Sequence, residues 1–230
     1  MYQGKYRYDL HVHTSNSSAC ARNTGAEMTD MYKSIGIDGI VVTDHFYMGN
    51  TSIPRELEWG EWCERFKGGY YSAKKRGDEI GLDVFYGWEY SYAGTDFITL
   101  GLDNDWLTEH PEVKKLGIKE YLSLVRSSGG YVIQAHPFRE AGYIPYIRLM
   151  PRFVDCVEIM NGGNNELQNE MAEIYAKKYD LDYSAGSDSH FITWNHICGI
   201  ETDKRITSSE ELIRVLKSRS AGVFSLVRDI

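Results

Sequence analysis

The sequence predicts an α/β fold in which strands and helices alternate and the strands close into a barrel of seven. Three observations carry that prediction. Short hydrophobic runs recur near residues 7–12, 38–43, 83–88, 97–102, 131–135, 154–159 and 182–186. They are rich in Val, Ile, Tyr and Phe without clean alternation, as strands buried on both faces tend to be. Segments of helical period lie between several of them, the order of a parallel sheet. Residues able to bind metal stand just beyond one run after another. In barrels of strands and helices the site gathers at the C-terminal strand ends, whereas an open doubly wound sheet gathers its site at one switch point.

Each element has its own justification. "YRYDL" leads to His11 and His13, and "AEMTDMYKSIG" places Met28, Met31, Tyr32 and Ile35 at helical spacing before a stop at Gly36. "GIVVT" ends at Asp44 and His45, and residues 50–80 are charged and helical in character without clear boundaries. "LDVFYGW" ends at Glu89, with Trp88 read as packing. "IKEYLSLVRSSGG" is a helix stopped by Gly129 and Gly130, and "YVIQA" runs into His136. "VEIMNGG" carries Glu158 and Asn161 towards the pocket end of its strand, and "ELQNEMAEIYAKKY" is a further amphipathic helix. "DYSAGS" delivers Asp188 and His190, and "SSEELIRVLKSR" is a helix with a serine cap followed by glutamates. No linker rich in Gly, Ser or Pro and no internal repeat divides the chain, so one domain over residues 1–230 is expected.

Composition narrows the function. An apolar fraction of 42%, with 17 Tyr, 8 Phe and 5 Trp, supports a sizeable core. No stretch approaches the roughly 20 apolar residues of a membrane span, and the first residues lack the apolar segment of a secretory signal. The 4 cysteines are widely spaced without a CxxC pair, which fits reduced thiols in cytoplasm. Cys156 reads as a core thiol. The net charge of −8 counts against long nucleic acid as a partner. It leaves room for a small phosphorylated substrate, because bound cations would dominate the local field.

The chemistry lies in the ends of the runs. His11 and His13 are two apart, so on a strand both imidazoles face one side and reach one ion. Asp188 and His190 repeat that spacing, and a carboxylate with an imidazole suits Zn, Mn or Fe. The series "DLHVHT", "GIDGIVVTDH", "YGWEYSY", "IQAHPFR" and "SAGSDSHF" resembles the PHP family, the polymerase-and-histidinol-phosphatase phosphoesterases, over residues 8 to about 200. The resemblance implies a distorted seven-stranded β/α barrel, (β/α)7 and TIM-like, holding two or three divalent ions of Zn, Mn or Fe. It also implies the ligands. His11, His13, Glu89 and Asp188 would hold the first ion, with Glu89 bridging to a second; His136 would serve the second, and His45 with His190 the third. Two departures stand out. Ser18 and Ala19 occupy positions where the family carries an Asp or His, so the third ion lacks an expected ligand unless water or Cys20 fills in, against the plainer reading of Cys20 as a structural thiol. Asp96 stands where a His ligand for the second ion is usual, and is the candidate in its place.

Close divalent ions suit phosphate-ester hydrolysis, with water activated by the metals as the nucleophile. Consistent with that, the chain has no GxSxG elbow and no P-loop. His190 or His45 would serve the leaving group. Arg139 is the candidate clamp on the substrate phosphate, against the plainer reading of a surface ion pair with Glu140, and Arg22 is a weaker second. His196 is placed at the pocket mouth and His110 in an exposed loop. The expected substrate is a small phosphomonoester, such as histidinol phosphate or a nucleotide. The alternatives are a phosphodiesterase or exonuclease on short oligonucleotides, an amidohydrolase-type metal barrel, and a metal-binding module without catalysis.

Overall fold

The structure, a computed structural model, describes residues 6–229; the absence of a leader segment read from the first residues falls partly on residues 1–5, outside the described ones. In chain order the elements are β1 (Tyr6–Val12), α1 (Gly25–Ser34), β2 (Gly39–Val42), α2 (Trp59–Phe66), α3 (Gly68–Ile80) and β3 (Asp83–Tyr92). There follow β4 (Thr95–Leu100), α4 (Asn104–Glu109), α5 (Ile118–Ser127), β5 (Tyr131–Gln134) and β6 (Cys156–Asn161). The chain continues through α6 (Glu166–Tyr179), β7 (Asp182–Gly186), β8 (His196–Thr202), α7 (Ser209–Lys217) and β9 (Gly222–Val227).

The strands form a single sheet in the order β7-β6-β5-β4-β3-β2-β1-β8-β9. A bridge from Val12 to Ser189, with the His13 amide donating to the Ser189 carbonyl at 2.9 Å, draws the end of β1 to the segment after β7. The result is a mixed α/β, nearly closed, barrel-like sheet.

Nine strands replace the expected seven, and the strict β/α alternation fails at identifiable places. Strand β3 runs four residues past the predicted end at 88 and turns directly into β4, antiparallel to it. Ala93 and Gly94 make that turn with φ of 48° and 80°. A two-residue hairpin turn needs positive φ at both positions, and it leaves no room for a helix. Strands β8 and β9 add an antiparallel pair on the far side of β1. Residues 50–80 resolve into the two helices α2 and α3.

The direction of each strand decides what reaches the site. β1, β2 and β3 run parallel, as do β5, β6 and β7, so their C-terminal ends share one rim. β4 runs antiparallel to both its neighbours, so its beginning, with Asp96, meets that same rim. Near the rim the first turn of α3 passes close to the loop after β1. A Cβ on Gly69 would stand 2.2 Å from both the Asp44 carboxylate and the Thr14 hydroxyl, so only glycine fits there.

One core cluster centres on aromatic side chains. Trp62 of α2 is fully buried, stacked between Trp59 and Phe66 at centroid distances of 5.2 and 4.8 Å, with Phe46 edge-on at 5.4 Å. Removing such a side chain forfeits its burial and leaves a cavity that the neighbours fill only in part. Trp62→Ala is therefore expected to cost about 3–5 kcal/mol, visible as a fall in melting temperature on the order of 10 °C. A thermal melt checks this, and a shift under a few degrees would show that the cluster collapses around the gap.

Candidate metal centre

β1 ends in two imidazoles that converge. His11 and His13 are both fully buried, and their Nε2 atoms lie 3.1 Å apart. His11 is fixed from behind: its Nδ1–H donates to Oε1 of Glu158 on β6 at 3.0 Å, which leaves Nε2 facing inward. Orientation of a ligand imidazole by a carboxylate on its other nitrogen is the usual second layer of metal sites. Gly186 permits this approach, since a Cβ there would stand 2.4 Å from the His11 Cβ.

Glu89 forms the hub. Its Oε1 lies 3.3 Å from His11 Nε2 and 3.1 Å from His136 Nε2, and its Oε2 lies 2.6 Å from His45 Nδ1 and 3.8 Å from His13 Nε2. Asp188 places Oδ1 at 3.1 Å from His13 Nε2 and 3.4 Å from His11 Nε2. Asp96 approaches His136 Nε2 at 3.9 Å. His190 donates Nδ1–H to the Asp188 carbonyl at 2.8 Å, which leaves its Nε2 free to accept or bind.

The donor atoms fall into overlapping groups whose members all lie within 4.8 Å of one another: His13, His45 and His190; His11, His13 and Glu89; His11, His136 and Asp188; Glu89, Asp96 and His136. Every histidine and carboxylate that the sequence reading named as a ligand is in at least one group. Asp44 is in none, because its carboxylate accepts from the Thr14 amide (2.6 Å), the Thr14 hydroxyl (2.7 Å) and the Ser18 hydroxyl (2.7 Å). It ties the loop after β1 to the end of β2.

Two observations show that the cluster fits cations. His45 Nδ1 and Glu89 Oε2, though 2.6 Å apart, lack hydrogen-bond alignment, and both are buried atoms without a hydrogen-bond partner. Buried polar atoms are rarely left so. The donor set, imidazole with carboxylate, is also the set that divalent transition ions take. Backbone geometry adds to this: His136 and Asp188 have φ of 27° and 54°. Positive φ is uncommon for residues other than glycine, and such strain tends to persist where function requires it.

Within the cluster, opposite charges offset one another. Burial alone would raise Glu89 and Asp188, but the charge of His45 and His11 on the former, and of His11 and Arg139 on the latter, hold both carboxyls well below their usual range. Burial would lower His11, yet Asp188, Glu158 and Glu89 hold it well above its ordinary value. His45 is likewise held well above, by Glu89 and Cys20 against burial. His13 goes the other way, lowered by burial and by the charges of His45 and His190. Cys20 exposes its thiol to the cleft, where hydrogen bonds to His190 and His45 outweigh partial burial and bring its pKa down to about 6.

Over the cluster opens a cleft of about 480 Å³ lined among others by Cys20, Met48, Asp96, Arg139, Tyr143 and His190. Arg139 does not pair with Glu140. Its guanidinium donates to Asp188 Oδ2, to Asn161 Oδ1 at 2.6 Å and to Asn164 Oδ1 at 3.1 Å. Arg22 is placed differently: its guanidinium lies over the Phe191 ring at 5.1 Å and does not line the cleft. His196, on β8, bonds Ser225 of β9 at 2.8 Å and does not line the cleft whose mouth it was expected to line. His110 is half-buried, stacked on Trp106, and Trp88 is packed as expected, donating to the Tyr121 hydroxyl at 2.7 Å.

Sequence reasoning missed a buried support beneath His11. Asp9 accepts from the amides of His11 (3.0 Å) and Ser187 (2.9 Å), from the Ser187 hydroxyl and from the Tyr32 hydroxyl at 2.5 Å. Burial pushes its carboxyl up to about 6. The signal was an acidic residue inside a hydrophobic strand, two positions before a ligand.

Comparison with known proteins bears on this geometry. The family model PHP_C, described as PHP-associated, matches residues 166–221, a stretch containing Asp188 and His190. The chain is similar to a two-domain protein of Bacteroides vulgatus containing a predicted PHP-like metal-dependent phosphoesterase, at 14% identity and a TM-score of 0.72. That alignment covers 96% of this chain but only 65% of the other, so the chain spans about two-thirds of that neighbour. It is similar to a protein of Bifidobacterium adolescentis provisionally named a metal-dependent phosphoesterase, at 16% identity, 93% and 96% coverage and a TM-score of 0.58. It is also similar to an amidohydrolase from Chromobacterium violaceum, solved with bound sulfate and no metal, at 14% identity, 94% and 97% coverage and a TM-score of 0.58. No curated protein matches. The family match is confined to residues 166–221, and the neighbours, all below 25% identity, show a shared fold.

Proposed function

We propose that the chain is a metal-dependent phosphoesterase acting on a small phosphomonoester, histidinol-phosphate-like or a nucleotide. The observation that carries this reading is the sharing of Glu89 between two ligand groups at the floor of a cleft that also holds an arginine. His11, His13, Glu89 and Asp188 would hold a first divalent ion; Glu89, His136 and Asp96 a second; His45 and His190, with His13 beside them, a third. Zn, Mn and Fe are the candidates. Such ions polarise phosphoryl oxygens and bring the pKa of water towards neutrality.

The chain's own groups do the rest. Arg139 presents its guanidinium at the cleft wall, already oriented by Asn161 and Asn164, where it would bind a phosphate oxygen and fix the ester for attack. His190, with Nδ1–H held by the Asp188 carbonyl, would keep Nε2 for the leaving-group side and deliver a proton there when no ion takes that atom. Glu158 keeps His11 in one tautomer. The sulfate in the Chromobacterium neighbour is an oxyanion of the class Arg139 would take; its amidohydrolase name is the main pointer to amide chemistry. The reading carries with it a cytoplasmic location and a small substrate in preference to long nucleic acid. Among the described residues no helix is long and apolar enough to cross a membrane. Phosphate release from a monoester panel, set against cleavage of a dinucleotide, tests the proposal; turnover confined to the dinucleotide would replace it with a phosphodiesterase.

The pKa directions give a second test. Against burial, the acidic groups around His11, His45 and His190 raise all three above an ordinary imidazole, so each holds its proton to higher pH than a free ring would. A metal ion takes the neutral ring. Metal binding at pH 7 should therefore release on the order of two protons, and apparent affinity should climb as pH rises through the raised values. Calorimetric titration in buffers of different ionisation enthalpy reads this directly. Binding without proton release would contradict the charge distribution.

A further inference from the structure

We propose that Cys20 supplies a thiolate ligand to an ion held by His13, His45 and His190, making this third position selective for zinc. The inference rests on the phosphoesterase reading and adds a residue to its site.

Three of the four ligand groups contain a carboxylate, whereas the group of His13, His45 and His190 contains imidazoles alone. Glu89, with Oε2 2.6 Å from His45 Nδ1, is shared with two other groups and would offset only part of a divalent ion's charge in this largely buried place, so a further anion would stabilise it. The neighbouring loop has few anionic donors to give. The Asp44 carboxylate is taken up by Thr14 and Ser18, and the Ser18 hydroxyl both donates to Asp44 and accepts from the His45 amide at 3.0 Å. Ala19 has no donor. Cys20 follows it and lines the cleft together with His45 and His190.

The loop that carries Cys20 is held in place beside these rings. The Ala19 amide donates to the Asn50 carbonyl at 2.8 Å, the Ala21 amide to Ser18 at 3.2 Å, and the Arg22 amide to the His190 carbonyl at 2.8 Å. Ser18 also bridges to Thr51. These bonds pin the backbone on both sides of Cys20 between the segments that carry His45 and His190.

A second observation points to a missing ligand at the same place. Glu89 is 1% exposed, and its Oε2, aimed between His45 and His13, has no hydrogen-bond partner. The facing Nδ1 of His45 has none either. Two unsatisfied buried atoms beside three converging imidazoles mark a position built for something that accepts electron pairs. On binding, the Cys20 S–H bond breaks, its proton leaves to solvent, and the sulfur pair bonds the ion. A soft thiolate with imidazoles favours zinc over manganese or magnesium.

Cobalt(II) tests the proposal, because thiolate ligation adds a near-ultraviolet charge-transfer band that nitrogen and oxygen ligands do not give. Cys63, Cys156 and Cys198 are buried away from the cleft, so Cys20 is the thiol positioned to produce it. The full chain, stripped and titrated with cobalt, should develop the band with the last ion to bind. Cys20→Ser should lose the band and weaken that ion about 10-fold or more, while Cys20→Asp should keep the stoichiometry without the band. A cobalt-loaded protein that releases phosphate but shows no band, or a Cys20→Ser variant that keeps it, overturns the assignment of Cys20 and leaves the phosphoesterase standing. A folded chain that binds no cobalt overturns both.

Discussion

If the proposed function holds, Glu89→Gln is expected to lower phosphate release about 1000-fold or more, equivalent to roughly 4 kcal/mol of transition-state stabilisation, and to do so by lowering metal content. The residue lies within hydrogen-bond or near-contact distance of His11, His45 and His136 at once. Glutamine has nearly the same shape, so the core around β3 stays filled. What changes is the charge: a neutral amide cannot offset two ions, and its NH2 group would face imidazole nitrogens that need to bind. The effect should therefore appear first in elemental analysis, as loss of more than one ion, and in activity as its consequence. Circular dichroism and thermal melts separate this from unfolding. A Glu89→Gln protein with full metal and near wild-type turnover would remove Glu89 from the centre of the site.

Arg139→Ala is expected to act on substrate while sparing metal. Its guanidinium reaches Asp188, Asn161 and Asn164 in a fixed fan at the cleft wall. The charge of Asp188 holds its pKa up against burial, so it stays cationic at any working pH. Loss of a charge-assisted contact to a phosphate should reduce kcat/KM about 100-fold, about 3 kcal/mol. Arg139→Lys should restore part of that, since the charge returns but the planar fork does not. The alternative role, a brace for Asp188, predicts lost metal in place of raised KM. Steady-state kinetics with metal content measured on the same samples distinguishes the two.

Much of this was legible in the sequence for a physical reason. Strand ends deliver ligands, and a hydrophobic run followed by His, Glu or Asp marks such an end whatever the strand pairs with. That is why His11, His13, Glu89, His136 and Asp188 stand out in the sequence whatever the strand order, and the structure brings their donor atoms together. Strand count and order were less readable. The hairpin between β3 and β4 hides in "YAGT", where Ala93 adopts a positive φ that its identity does not advertise. β8 and β9 carry apolar patterns interrupted by Gly199 and Ser225, and the pairing of β8 with β1 joins residues almost 200 positions apart. The partner of Arg139 was likewise out of reach: Glu140 is its neighbour in sequence, but Asp188 is its neighbour in space. Arg22 shows the converse. A loop near the motif suggested phosphate contact, and only the fold shows its guanidinium resting on Phe191.

The most direct test of the central claim is metal content by elemental analysis of protein purified without added metal, with phosphate release from p-nitrophenyl phosphate on the same preparation. The account predicts about two to three equivalents of Zn, Mn or Fe and turnover that disappears in a His13→Ala variant. Less than one equivalent, with no turnover after zinc or manganese is restored, would contradict it.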